Sequence, residues 1–339
     1  MLNNRRGEIN FLRNLLRLPE IYFFLLNGVR KQKSFLKKEL EPELKTFRAE
    51  NDGSLTEAHF KKIISYYAMG VPSILGESLC VLRGVAMTRK ERFCMSYLGG
   101  ISGLLDDLFD EPGKDAGHLE EFIFSPEELI PATSHEKLLK HFYLKGLSYA
   151  TQPDRIKQAA LEVFKAQQKS LAQKDCTYRE HIAYLTFLKG GNSFLYYRLG
   201  LSHDLYEKEE KMLYQLGGLM QLGNDIFDIW EDVRDGITTM ATATSELKEL
   251  RKYFTAELEQ TYSMLTFMDT EAKAEKRFKK MINLAIARVY VGLDQYEALS
   301  ANNAGQFNVR EYSRKKLICD MQKPTNQLKA INYYLRMQA

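Results

Sequence analysis

Gln221-Leu222-Gly223-Asn224-Asp225-Ile226-Phe227-Asp228-Ile229-Trp230-Glu231-Asp232-Val233-Arg234-Asp235-Gly236 is the stretch from which the chain is best read. It sets five acidic side chains and an Asn among Ile, Phe, Trp and Val. Helical positions three and four apart share a face. Asn224, Asp228 and Asp232 therefore stack along one side, with Asp225 one step round, and Ile226, Ile229 and Val233 form an adjacent apolar face. Carboxylates crowded beside a core repel one another and are costly to desolvate. A hard divalent cation removes that cost, and oxygen ligands suit Mg2+.

A second cluster stands upstream in Leu104-Leu105-Asp106-Asp107-Leu108-Phe109-Asp110-Glu111, where Asp106, Asp107 and Asp110 share a helix face after an apolar run from Tyr97 to Leu105. Mg2+ prefers a few carboxylates, water and substrate phosphates to an all-protein cage. Two acidic faces on one chain thus imply a phosphorylated ligand held between two jaws.

The remaining composition narrows the class. With 339 residues and 45% hydrophobic side chains, core material is ample. A net charge of only +4 argues against a dedicated nucleic-acid surface. Cys80, Cys94, Cys176 and Cys319 are scattered without a CxxC, which fits reduced thiols in a cytoplasmic protein. The six His residues show no HxxxH or HExxH spacing, so a zinc peptidase has no support. No stretch reaches the roughly 20 apolar residues that span a bilayer, and charges interrupt the N-terminus too often for a signal peptide.

The pattern is helix after helix. Ser54-x-x-Glu57, Thr88-x-x-Glu91, Ser125-x-x-Glu128 and Thr177-x-x-Glu180 have the form of capping boxes, with Asp204-x-x-Glu207 and Asn308-x-x-Glu311 as weaker versions. Helices are expected over 8–40, 55–85, 88–110, 126–150, 153–173, 178–200, 204–234, 244–269, 271–299 and 309–336. Alternating strand patterns are nearly absent. Residues 51–339 are expected to form one all-α bundle, with 1–50 a basic amphipathic segment packed on it. That segment sets Phe11, Leu12, Leu15, Leu16, Phe23 and Phe24 among Arg13, Arg17, Arg30 and Lys31. Peripheral contact with an anionic membrane is its second reading.

These residues together resemble the class I isoprenoid synthase superfamily. Asp106-Asp107-Leu108-Phe109-Asp110 is a DDxxD, the first metal motif there. Gly218 to Asp228 resembles the G-x-x-Q-x-x-(N/D)-D-x-x-D stretch of trans-prenyltransferases. Continued to Gly236, it is more similar to the N-x-x-x-D-x-x-E-D-x-R-x-G of squalene and phytoene synthases. Asn224, Asp228 and Asp232 also fall on the spacing of the terpene-cyclase N-x-x-x-S/T-x-x-x-E triad, with Asp at the second and third places. Arg179 stands near the place of the diphosphate-sensing Arg of bacterial terpene cyclases. Leu188-Lys189-Gly190-Gly191 occupies the place of the Lys-Thr pair of prenyltransferases and of the Gly-containing helix break of squalene synthases. Tyr66 to Pro72 is similar to bacterial large-terpene synthases. Chain-elongating prenyltransferases follow their first motif with an Arg pair, and Glu111 to His118 contains none.

The resemblance implies an all-α single-domain bundle that ionises an allylic prenyl diphosphate with two or three Mg2+ ions. Asp106, Asp107, Asp110, Asn224, Asp225, Asp228 and Asp232 would hold metal, and Arg179, Lys189 and Arg234 diphosphate. A terpene synthase is the first expectation. Head-to-head coupling is the alternative, and chain elongation is the remaining one. Homodimers are common in the superfamily. A carbocation reacts with water, so the site needs apolar walls. Phe187, Phe194, Tyr197, Phe227 and Trp230 lie near the motifs, and the loop from Asp235 to Ser245 is expected to fold over the diphosphate.

Overall fold

The computed structural model describes residues 2–109, 116–170, 178–268, 270–301 and 305–337, with side chains left out at 2–10, 106–109, 116 and 118. Among these residues there is no strand. The chain opens with α1 (Leu2–Phe35), a π-type turn (Leu36–Leu40) and α2 (Glu41–Ala49). Next come α3 (Glu57–Lys62), α4 (Ala68–Gly70) and α5 (Glu77–Leu82), separated by π-type turns at Ile63–Tyr67 and Val71–Gly76. Then follow α6 (Arg89–Phe109), α7 (Ala116–Phe124), α8 (Ser134–Tyr149), α9 (Pro153–Ser170) and α10 (Arg179–Arg198). The last third holds α11 (Glu207–Phe227), α12 (Ile229–Asp235), α13 (Leu247–Thr266), α14 (Ala272–Ala301), α15 (Arg314–Leu317) and α16 (Pro324–Arg336).

Two compact units divide this chain. One comprises Met1–Ile21, Ala166–Phe194 and Tyr206–Ala339, and the other Tyr22–Lys165 and Leu195–Leu205. The division cuts α1 and α10, and residue 50 lies inside the second unit. In that second unit α6 packs mainly on α8 around Tyr97, Leu98, Ile101, Phe142 and Tyr143, all fully or nearly buried. Asp106 and Asp107 ride on the last turn of α6. Asp110 lies outside the described residues.

In the first unit α11 is the central helix. Its buried Met212, Leu216, Leu219, Leu222 and Ile226 recur at the three- and four-residue spacing of a helix packed on its neighbours. Glycines bring those neighbours close. A Cβ at Gly190 of α10 would overlap the carbonyl oxygen of Gly217, and a Cβ at Gly217 would overlap that of Gly190. The ring of Phe187 fills the space over Gly218, and Tyr214 lies against Gly191. This Gly pair therefore does not break a helix. α10 runs through it, and the glycines let two backbones cross in contact.

Helix starts follow local chemistry. Thr88 and Glu91 form the expected reciprocal box, with Thr88 N–H donating to Glu91 Oε2 at 2.7 Å and Glu91 N–H to Thr88 Oγ1 at 3.2 Å. Two expectations are corrected. α3 is capped by Thr56, whose Oγ1 accepts from His59 N–H while His59 Nδ1 accepts from Thr56 N–H, rather than by Ser54. The helix expected at 126 begins at Ser134 behind a Thr133 cap. Pro131 disfavours helical backbone at Ile130, so the earlier start fails. Thr177 lies outside the described residues.

Candidate functional site

The helix expected over 204–234 is kinked at Asp228, whose backbone opens to φ −88°, ψ 12° between α11 and α12. Hydrogen bonding continues across the kink, from Asp228 N–H to Asn224 at 2.8 Å and from Asp232 N–H to Asp228 at 2.9 Å. The departure is confined to Asp228, so Asn224, Asp228 and Asp232 still follow one another at a helical spacing. α12 then ends at Gly236, which takes the left-handed φ of 70° that favours glycine.

Within the motif, three carboxylates have three environments. Asp225 is 6% exposed, and both its oxygens are engaged: Thr186 Oγ1 of α10 donates to Oδ2 at 3.1 Å and Gln221 Nε2 to Oδ1 at 2.8 Å. Burial raises its pKa to about 6, against the opposing pull of Gln221, Lys189 and Thr186. Asp228 is half-buried and accepts from Asn224 Nδ2 at 2.7 Å. Its pKa is raised by burial and by Glu231, while Asn224 and Lys189 oppose the rise. Asp232 is pushed up to about 7, first by burial and then by the charges of Asp225 and Asp228. Its Oδ2 is buried with no hydrogen-bond partner, although Thr239 bonds the same carboxylate.

That orphaned oxygen, beside carboxylates that resist ionisation, is the setting a divalent cation would relieve. Asn224, Asp228 and Asp232 offer two carboxylates and an amide oxygen, a donor set that suits Mg2+ supplemented by water and phosphate. Among the described residues no three His, Cys, Asp or Glu side chains converge as a ready-made metal cage. Through Thr186 the Asp225 carboxylate also ties α11 to α10.

Of the expected diphosphate cations, the structure brings one to this cluster. Lys189 is close enough to act on Asp225, Asp228 and Asp232 alike. Arg179, ten residues earlier at the start of α10, is exposed and lies 6.0 Å from the ring centre of Tyr253 on α13. Arg234 is exposed and forks onto its neighbour Asp235 at 2.7 and 2.8 Å. In the loop after Gly236, Thr239, Met240 and Ala241 are buried, and Thr239 N–H donates to Thr242 Oγ1 at 2.8 Å, while Ala243 and Ser245 are exposed.

A cavity of about 540 Å³ adjoins Asn224 and is lined by Phe227, Met220, Val289, Arg288 and Met321 among others. Phe227 is thus the expected aromatic found in a hollow beside the motif. Phe187 and Phe194 are spent on the glycine crossing, and Tyr197 donates to Ser102 Oγ at 2.7 Å. In the second unit a cavity of about 750 Å³ is lined by Lys62, Tyr67, Met69 and Gly70. Gly103 of α6, one turn before Asp106, abuts the side chains of Tyr67 and Lys62.

Sequence reading passes over Thr186, Thr239 and Arg288. Thr186 had a signal, since it stands three residues before Lys189 on one helix. Thr239 lies beyond the helix end, where periodicity carries nothing.

No family model matches this chain, and no curated protein matches it. Among solved structures it is similar to a dehydrosqualene synthase in complex with ligand, with a TM-score of 0.45 and 13% identity over 93% of this chain and 97% of that one.

Proposed function

We propose that this chain is a Mg2+-dependent class I terpene synthase that ionises, and then cyclises, an allylic prenyl diphosphate with release of pyrophosphate. The observation that carries the proposal is the α11–α12 cluster: Asn224, Asp228 and Asp232 around a kink, with an unpartnered buried Asp232 oxygen and Lys189 beside them. The acidic clusters of the two motifs, in the order the resemblance requires, support it further.

In this reading Asn224, Asp228 and Asp232, with Asp106, Asp107 and Asp110, hold the metal ions and through them the diphosphate. Bound Mg2+ supplies Lewis-acid activation of the leaving oxygens. Lys189 binds a diphosphate oxygen as a point charge, and Arg179 and Arg234 are further candidates for that contact. Gln221 and Thr186 fix Asp225, so the α11 end that presents Asn224 and Asp228 stays in register with Lys189. The apolar chain needs walls that exclude water from the cation. Phe227 offers a ring face, worth up to about 2 kcal/mol to a desolvated cation.

A second reading, head-to-head coupling of two prenyl diphosphates, is favoured by the unbroken Asn224-x-x-x-Asp228-x-x-Glu231-Asp232-x-Arg234-x-Gly236 spacing. Incubation with C15, C20 and C25 prenyl diphosphates and Mg2+, followed by gas chromatography with mass detection, separates the readings. A hydrocarbon or alcohol with the substrate's carbon number supports the synthase. A product with twice that number supports coupling, and consumption only when isopentenyl diphosphate is added overturns both.

A further inference from the structure

α1 is amphipathic in an inverted sense. Asn14, Ile21, Gly28 and Gln32 lie on one face and are turned inward. Asn14 Nδ2 donates to the carbonyls of Tyr334, Leu335 and Met337, and Gln32 Nε2 to Ala68 O at 2.6 Å and Ser96 Oγ at 2.8 Å. A Cβ at Gly28 would crowd the backbone of Ser73. The opposite arc carries Leu12, Leu15, Leu16, Tyr22, Phe23 and Leu26, recurring at three and four residues, and all six are exposed. Leu16 is 80% and Phe23 68% exposed. Large apolar side chains aligned along one unpartnered face mark an interaction surface.

Charge identifies the partner. Beside this stripe, Arg13 and Arg17 of α1 and Lys276 of α14 surround Lys280 of α14, and Glu20 pairs with Arg17 at 2.8 Å and with Arg277 of α14 at 3.8 Å. Lys280 is 7% exposed, and burial together with Arg13 and Arg17 lowers its pKa. Five cations around one carboxylate leave an excess positive field next to greasy side chains. Further along the apolar arc, Arg30, Lys33 and Lys37 replace the apolar residues. A second copy of the chain would bring like charges together. An anionic lipid surface satisfies both features, with apolar side chains entering the acyl boundary and cations meeting phosphate headgroups. We propose that α1 docks this protein on anionic bilayers through the Leu12–Leu26 stripe, with Arg13, Arg17 and Lys276 as the headgroup contacts. These residues are not those of the diphosphate reading, and the two proposals fail independently.

The test is vesicle co-sedimentation of the full chain. Vesicles of two parts phosphatidylcholine to one part phosphatidylglycerol are expected to pellet the protein at least about tenfold better than phosphatidylcholine alone, and added salt should weaken the binding. Lys276→Gln and Arg13→Gln should each weaken binding about fivefold. The pair Leu16→Glu and Phe23→Glu should abolish it with unchanged circular dichroism, since both side chains are exposed. Equal binding to neutral vesicles, no binding to either, or wild-type binding by the Leu16→Glu, Phe23→Glu pair would overturn the proposal. So would a dimer in light scattering that Leu16→Glu dissociates while vesicles pellet nothing.

Discussion

Asp232→Asn should make the metal-free protein more stable at pH 8 while disabling it. In the folded chain the Asp232 carboxyl is held at about 7 against an ordinary 3.8, by burial first and by Asp225 and Asp228 next. A raised carboxyl pKa means that its contribution to stability is fully present below about 3.8 and is lost as pH rises through about 7. At 1.36 kcal/mol per tenfold change, ionising it at pH 8 costs about 4 kcal/mol, and partial solvent access reduces this to about 2 kcal/mol. Asn keeps the shape and removes the charge. With an unfolding entropy of about 2.1 cal/mol/K per residue, Tm should rise by about 3 °C at pH 8 and stay unchanged near pH 4. Differential scanning fluorimetry in chelator across that range reads the effect. Adding Mg2+ should then raise the Tm of the wild type more than that of the variant, because a ligand that binds the folded form stabilises it by mass action. A variant less stable at pH 8, or a Tm difference independent of pH, would refute the electrostatic account of this cluster.

Other perturbations follow from the same geometry. Gly190→Ala places a methyl against the Gly217 carbonyl, and urea denaturation should show a loss of about 1–3 kcal/mol as α10 and α11 are forced apart. Thr186→Val leaves an oxygen of the buried Asp225 without its donor and should cost about 1–3 kcal/mol, read by the same denaturation, with Thr186→Ser restoring most of it. Lys189→Met should lower pyrophosphate release about a hundredfold, the usual loss on removing one charge-stabilising donor. Arg234→Ala, whose guanidinium is exposed and shared with Asp235, should slow the same assay less than Lys189→Met does.

The parts legible in the sequence were those that periodicity governs. The all-helical class followed from capping boxes and three-and-four spacing, and the Asn224-to-Asp232 face came from the same rule, whereas Lys189 was singled out only by the resemblance. What escaped depended on partners remote in sequence. Gly190 and Gly191 read as a helix break until Gly217 and Gly218 were opposite them. Thr239 reaches Asp232 only because Gly236 reverses the chain. Ser54 and Thr56 offered competing cap patterns two residues apart, and the reciprocal bond to the His59 ring decided for Thr56. On α1 the count of apolar residues was evident, but not that Asn14, Gly28 and Gln32 would take the inward face.

Whether the two acidic motifs act together on a diphosphate is read from pyrophosphate release by the C15, C20 and C25 prenyl diphosphates, measured with Mg2+ and with chelator. Release from at least one substrate is expected, dependent on Mg2+ and lost in both Asp107→Ala and Asp228→Ala. No release from any of the three, or release untouched by either substitution, would contradict it.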